Sequence, residues 1–253
     1  MNMFDTFYDV LAARYDTLQS DMDCGKWADY LEKLIKEFCT TGSETKSIID
    51  LGCGTGSVDV LLSSKGFDIT GVDNAEAMLE IASGKDEEGK ITWLLHDITD
   101  FEPDGKTDCF LSLLDTMDHI MDQEKLTGIF KRVSDHLLPG GVFIFDVITE
   151  KHLSRTLGDN VFYQDYEDFL LLWINQYDSE EKVNTAELTF FEEDEDGKYD
   201  RYDGDLVERF YPEDDLIIMA SSMGLVHKAT YGELVRSAPS EDEERIFLVF
   251  VKE

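Results

Sequence analysis

Residues Asp50–Leu62 read DLGCGTGSVDVLL. Apolar Ile48 and Ile49 run into this stretch, three glycines stand at alternate positions, and a helical pattern opens near Ser57. A glycine turn leaving a strand lets the backbone come close to a ligand where a Cβ would fill the space, and the helix that follows offers free N–H groups. The spacing Gly52, Gly54, Gly56 is G-x-G-x-G. It is neither the G-x-G-x-x-G of most dinucleotide folds nor a phosphate loop ending in Lys-Ser/Thr. By itself such a cluster also suits a purely structural turn, so its surroundings must decide.

Strand and helix alternate on both sides of it. KWADYLEKLIKEFC (26–39) repeats apolar residues every three or four positions and predicts a helix with one buried face. FDITGVD (67–73), ITWLLHD (91–97) and KTDCFLSLL (106–114) predict three further strands, with a helix at NAEAMLEIAS (74–83). EKLTGIFKRVSDHLL (124–138) predicts another amphipathic helix stopped at Pro139–Gly141, and VFIFDVI (142–148) a fifth strand. This alternation predicts a parallel sheet covered on both faces, with ligands at the carboxyl ends of its strands.

From about Thr149 the pattern changes. FLLLWINQYD, NTAELTFFEED and YDRYDGDLVERFY predict three antiparallel strands, and residues 149–211 are expected to form an inserted β-rich cap, with the acidic run EEDEDG (192–197) as a hairpin tip. The chain then returns to a helix ending near Gly224 and to strands LVHKATY and RIFLVFVK. Residues 1–148 and 212–253 are expected to make one ligand-binding domain.

Composition narrows the partners. Against 22 Lys+Arg stand 56 Asp+Glu, a net charge of -34, which disfavours nucleic acid and anionic membrane surfaces. A cationic substrate or partner stays open beside a merely solvated surface. Cys24, Cys39, Cys53 and Cys109 form no CxxC pair, and no metal site is expected. With no secretory leader pattern and no long apolar run, the expectation is a cytoplasmic protein.

Three acids at strand ends sharpen the reading of the glycines. Asp73 closes the second strand, where a carboxylate can accept from both ribose hydroxyls. Asp97 follows the third strand, within reach of an adenine amino group, and Asp50 can either hold the glycine loop or meet an ammonium. Acids without a phosphate-binding cation favour a ligand with ribose, adenine and a positive centre over a pyrophosphate. A nicotinamide-dependent oxidoreductase is the contrasting class, disfavoured by the glycine spacing.

In these motifs the chain resembles the class I S-adenosylmethionine-dependent methyltransferases. DLGCGTG matches the family's first motif, GVDNAEAML the ribose-binding one, HDI the adenine-binding one and LLPGGVFIFDV the turn into the fifth strand. The resemblance implies a Rossmann-like, doubly wound α/β sheet of seven strands, the last antiparallel, binding S-adenosyl-L-methionine and releasing S-adenosyl-L-homocysteine. It implies a cofactor site made by Tyr15, Asp50, Gly52, Cys53, Gly54, Gly56, Asp73, Asn74, Met78, Asp97, Ile98 and Leu114. The opening segment and the β cap look like a subgroup of small bacterial methyltransferases, whose N-terminal tyrosines fold over the cofactor as a lid, here residues 1–40. Tyr8, Trp173, Arg209 and Tyr211 are the expected substrate contacts, with Tyr166 as a further cap wall. The run DTMDH (115–119) stands where relatives often carry Asp-Ser-x-Asn-Tyr, and Leu206 where they carry a histidine.

Methyl transfer from a sulfonium is an in-line displacement, so alignment and exclusion of water dominate. If the acceptor must lose a proton, Asp115 and His119 are the candidate bases, with Asp118 in the same run. A small-molecule nitrogen or oxygen is the expected acceptor. Protein or RNA methylation and a non-catalytic binding role remain the alternatives.

Overall fold

The structure is a computed structural model describing residues 6–44, 46–194 and 196–253. The first five residues of the expected lid, and Glu195 in the acidic run, lie outside the described residues.

The main sheet is built from β1 (Ser47–Leu51), β2 (Asp68–Asp73), β3 (Thr92–Leu95), β4 (Thr107–Ser112), β5 (Leu137–Ile148), β10 (Leu225–Gly232) and β11 (Arg245–Lys252). Its order is β10-β11-β5-β4-β1-β2-β3, and β11 alone runs antiparallel to its neighbours, so the seven-stranded expectation holds. The buried strand β11 reads as an unbroken apolar run, Ile246–Val251, because helices cover both faces of the sheet. On one face α2 (Cys24–Phe38) buries Trp27, Tyr30, Leu31, Leu34 and Ile35, with Phe247 of β11 against the first two rings. On the other, α5 (Gln123–His136) buries Leu126, Ile129, Phe130 and Val133, and its first turn is capped by the Asp122 carboxylate. The strand order reverses between β1 and β4, which opens a crevice at their carboxyl ends.

The remaining helices of the main sheet are α3 (Ser57–Ser64), α4 (Glu76–Lys85) and α6 (Glu213–Ser222). Gly56 enters α3 with φ +67°, and a Cβ there would lie 2.4 Å from the Trp93 ring. Its glycine is therefore a packing requirement between loop and β3.

A second, antiparallel sheet has the order β6-β7-β8-β9: β6 (Val161–Asp165), β7 (Phe169–Asp178), β8 (Val183–Glu193) and β9 (Tyr199–Arg209). Three strands were expected here. The fourth, β6, is an edge strand exposed at every residue, so it carries no inward-outward alternation for sequence reasoning to detect. Between β8 and β9 the Gly197 N–H donates to Asp194 and the Asp194 N–H to Lys198, the tight tip expected of the acidic run.

α1 (Phe7–Leu18) joins the two sheets. Phe7, Val10 and Leu11 pack with Leu188, Phe190 and Ala186 of β8, and Gly204 of β9 leaves room for the Phe7 ring. Arg14 pairs with Glu192 and Asp168 and lies 4.5 Å above Phe169. No helix among the described residues is long and apolar enough to cross a membrane.

Candidate active site

At the carboxyl ends of β1, β2 and β4 lies a cavity of about 960 Å³, at the upper end of small-ligand sites. Asp50, Gly52, Cys53 and Gly54 form its floor, with Asp73, Asn74, Met78, Asp97 and Ile98 along one side and Leu114 on the other. Tyr8 and Tyr15 of α1 and His119 also line it. The chain thus brings most of the predicted site residues together.

Asp73 organises the glycine loop. Its Oδ2 accepts from the Gly54 N–H at 2.9 Å and its Oδ1 from the Ala75 N–H at 2.9 Å. Two lone pairs are thereby committed to backbone, leaving the others for a ligand. Burial nevertheless keeps the carboxyl above the ordinary aspartate range. Gly54, φ +54°, has nothing within 4 Å of where a Cβ would stand, so the loop offers bare backbone to the cavity. Asp97 is exposed and takes the Thr99 N–H at 2.8 Å.

The wall after β4 is strained and braced. Leu114 and Asp115 both have left-handed backbone, φ 55° and 68°, unusual for such residues. Their N–H groups donate to the buried Asp146, at 2.8 and 3.3 Å, and Arg245 of β11 pairs with both Asp146 and Asp115. Burial, opposed by Arg245, pushes Asp146 up to about 6. Tyr15 is pushed up to about 12 by burial and then by Asp115, so its phenol keeps its proton and acts as a donor. Burial and the neighbouring Asp59 also raise Cys53, leaving an inert thiol.

Several expectations are corrected. Asp115 does not line the cavity; its carboxylate is held by Arg245, so it is no free base. Asp118 is fully buried, accepting the Ile148 N–H at 3.0 Å. Tyr211 is 1% exposed and donates its hydroxyl to the Ile120 carbonyl, so it supports the cavity wall from behind. Trp173 and Tyr166 pack inside the second sheet's own apolar clusters, and Arg209 donates to the Glu181 carbonyl; none of the three reaches the cavity. Gly56 is also absent from the lining, for the packing reason given above.

Other lining residues escaped sequence reasoning. Asp16 of α1 accepts from Thr55 Oγ1 at 2.6 Å and Ser57 Oγ at 3.2 Å and pairs with Lys85 at 2.5 Å, tying α1 to the end of the glycine loop. Nothing in its spacing signals this contact across the fold. Leu11, Ile120, Met121 and Leu206 give the cavity an apolar portion, three of them from segments without a motif. Asp59 carried a signal that went unread: an acid between the apolar Val58 and Val60 in the first turn after the glycine loop.

His119 is the titratable side chain best placed for proton transfer. Its Nδ1 lies 2.9 Å from the Val207 carbonyl, which can only accept, so Nδ1 carries a proton and, in the neutral ring, the lone pair is on Nε2. Among the described residues no cluster of three or more metal-ligating side chains occurs.

A family model described as a methyltransferase domain matches residues 48–141. A methyltransferase of Geobacillus sp. is 30% identical over 97% of this chain and 99% of its own, and one of Bacillus subtilis is 29% identical over 95% of each. Among solved structures, an S-adenosylmethionine-dependent methyltransferase from Clostridium acetobutylicum superposes with a TM-score of 0.85 at 29% identity, over 97% of this chain and 98% of that one. The sugar N-methyltransferase KedS8 from Streptoalloteichus sp. shares the fold, with a TM-score of 0.75 at 17% identity over 100% of this chain and 95% of its own. The chain belongs to the class I S-adenosylmethionine-dependent methyltransferases. Its cofactor is S-adenosyl-L-methionine, and the cavity's bare glycine backbone and acid lining suit a cationic nucleoside.

Proposed function

We propose that this enzyme methylates a nitrogen or oxygen atom of a small molecule, with His119 as the base. The observation that carries the reading is the Nδ1 contact to Val207, which in the neutral ring puts the lone pair on Nε2, with His119 in the wall of the same cavity as the glycine loop. The residues named above would hold the cofactor: Asp73 the ribose, Asp97 and Ile98 the adenine, Met78 packing nearby. The cofactor supplies an electrophilic methyl group. The acceptor's lone pair forms the new bond to carbon as the sulfur–carbon bond breaks, and the acceptor's proton passes to Nε2. Tyr8, Leu11, Ile120, Met121 and Leu206 would then shape the acceptor's surroundings, excluding water. The net charge of -34 supports a small acceptor over RNA, and amines are the first class to try.

The test is release of S-adenosylhomocysteine with panels of small amines and hydroxyl compounds, alongside RNA and protein fractions. Turnover on a small molecule is expected, with His119→Ala lowering kcat by about 10²-fold and leaving cofactor affinity intact. Turnover on macromolecules alone would overturn the acceptor class, and an unchanged kcat would remove His119 from the chemistry.

A further inference from the structure

Two buried carboxyls meet beneath the glycine loop. Asp50 comes from the end of β1 and Asp59 from the first turn of α3; they are 3% and 1% exposed, and both line the cavity. Among the described residues, Asp50 Oδ1 and both Asp59 oxygens find no N–H or O–H donor. Other buried acids are better supplied: Asp108 by Thr41, Ser43 and Ser47 and Asp146 by two backbone N–H groups and Arg245, while Asp118 takes the Ile148 N–H on Oδ2 and leaves Oδ1 without a donor. What Asp50 and Asp59 have is each other, and two carboxyl groups can hydrogen-bond only when one holds a proton.

The charges around the pair give no relief. Asp73 faces it from β2 and Asp146 from β5, while the thiols of Cys53 and Cys109 stay neutral. Arg245 is committed to Asp115 and Asp146. Burial therefore favours the protonated forms, raising Asp50 well above the carboxylate range and Asp59 to about 7. Ionisation of the pair would be favoured by a positive charge brought into the cavity by a ligand.

We propose that Asp59, through the proton it shares with Asp50, couples cofactor binding to proton release: the ammonium group of the cofactor's methionine arm takes the shared proton's place, and that proton passes to the buffer. No covalent bond changes. The site exchanges one proton for one ammonium, so Asp59 is a positioning residue that selects ligands with a primary ammonium over adenosyl compounds without one. The inference rests on the cavity being the cofactor site.

The experiment is calorimetric titration of the whole chain at pH 6.5, in two buffers of different ionisation heat. The ligands are S-adenosylhomocysteine, which keeps the ammonium, and 5′-methylthioadenosine, which lacks it. Proton release approaching one per site is expected for the first and none for the second. Asp59→Asn should bind S-adenosylhomocysteine without releasing a proton, with an affinity flat between pH 6 and 8, whereas the wild-type affinity rises with pH. Equal release with the two ligands, buffer-independent heats for S-adenosylhomocysteine in the wild type, or unchanged release in Asp59→Asn would overturn the coupling. Failure of both ligands to bind would instead overturn the placement of the cofactor, and the inference with it. The comparison of two ligands on the wild type stands even if the variant does not fold.

Discussion

The Asp16 carboxylate of α1 accepts a hydrogen bond from Thr55 at the far end of the glycine loop, at 2.6 Å. α1 otherwise packs on α4 and, through Phe7 and the Arg14 pairs, on the second sheet. Asp16 is thus where the segment bearing Tyr8 and Tyr15 meets the parts of the fold that shape the glycine loop.

Asp16→Ala should loosen that contact. The Thr55 and Ser57 hydrogen bonds and the Lys85 pair all meet a half-exposed carboxylate and together contribute on the order of 1 kcal/mol, so S-adenosylmethionine should bind about fivefold more weakly. Hydrogen exchange in α1 should rise while the main sheet stays protected. Unchanged exchange in α1 would show that its packing on α4 and the second sheet holds it without Asp16.

Asp73→Ala removes the acceptor for the Gly54 and Ala75 N–H groups as well as the proposed ribose contact. Unpaired buried polar groups cost about 1–3 kcal/mol, which predicts about a 5- to 150-fold rise in the cofactor's Kd by calorimetry. An unchanged Kd would mean that the ribose lies elsewhere.

Gly56→Ala tests the loop as packing. The new Cβ would meet the Trp93 ring at 2.4 Å and Ala82 at 3.0 Å, on a backbone at φ +67°. A loss of about 2–4 kcal/mol in denaturant unfolding is expected from overpacking and strain together. A loss below about 1 kcal/mol would show that β3 can shift to make room.

Stability should fall as pH rises. Asp59 and Asp146 hold their protons up to about 7 and about 6, and Asp118 is raised further by burial and by Asp115. Folded values above the unfolded carboxylate range mean that the native state binds these protons more tightly. Their contribution is complete below pH 4 and is lost as pH climbs through the folded values. The ligand-free protein should therefore show a lower Tm at pH 8 than at pH 5. Asp118→Asn, which keeps an acceptor for the Ile148 N–H, should reduce that fall by a few degrees. A pH dependence identical to wild type would mean that Asp118 is as ionised in the folded protein as in the unfolded chain, and so holds no proton there.

Local signals reached far into this molecule. Strand and helix alternation read the seven-stranded sheet because strands buried on both faces are largely apolar and their helices must carry one apolar face. The glycine loop and the acids at strand ends were legible for the same reason: their roles depend on neighbours in the chain, the end of β1 with the start of α3, or the last residue of β2. The edge strand β6 was not legible, since exposure on both sides erases the alternation.

What the sequence by itself determined is the family, the sheet and the floor of the cavity. Only the tertiary structure decided which polar side chains stay free to act. Asp115 and His119 stand in one short run, yet Arg245, 130 residues further on, holds the first, while the Val207 carbonyl fixes the proton of the second. The same holds for Asp50 and Asp59, which β1 and α3 bring together, buried, with three of their four oxygens given no donor by the described residues. A side chain's charge and availability depend on desolvation and on partners brought in from distant elements, and neither is written in its own stretch of chain.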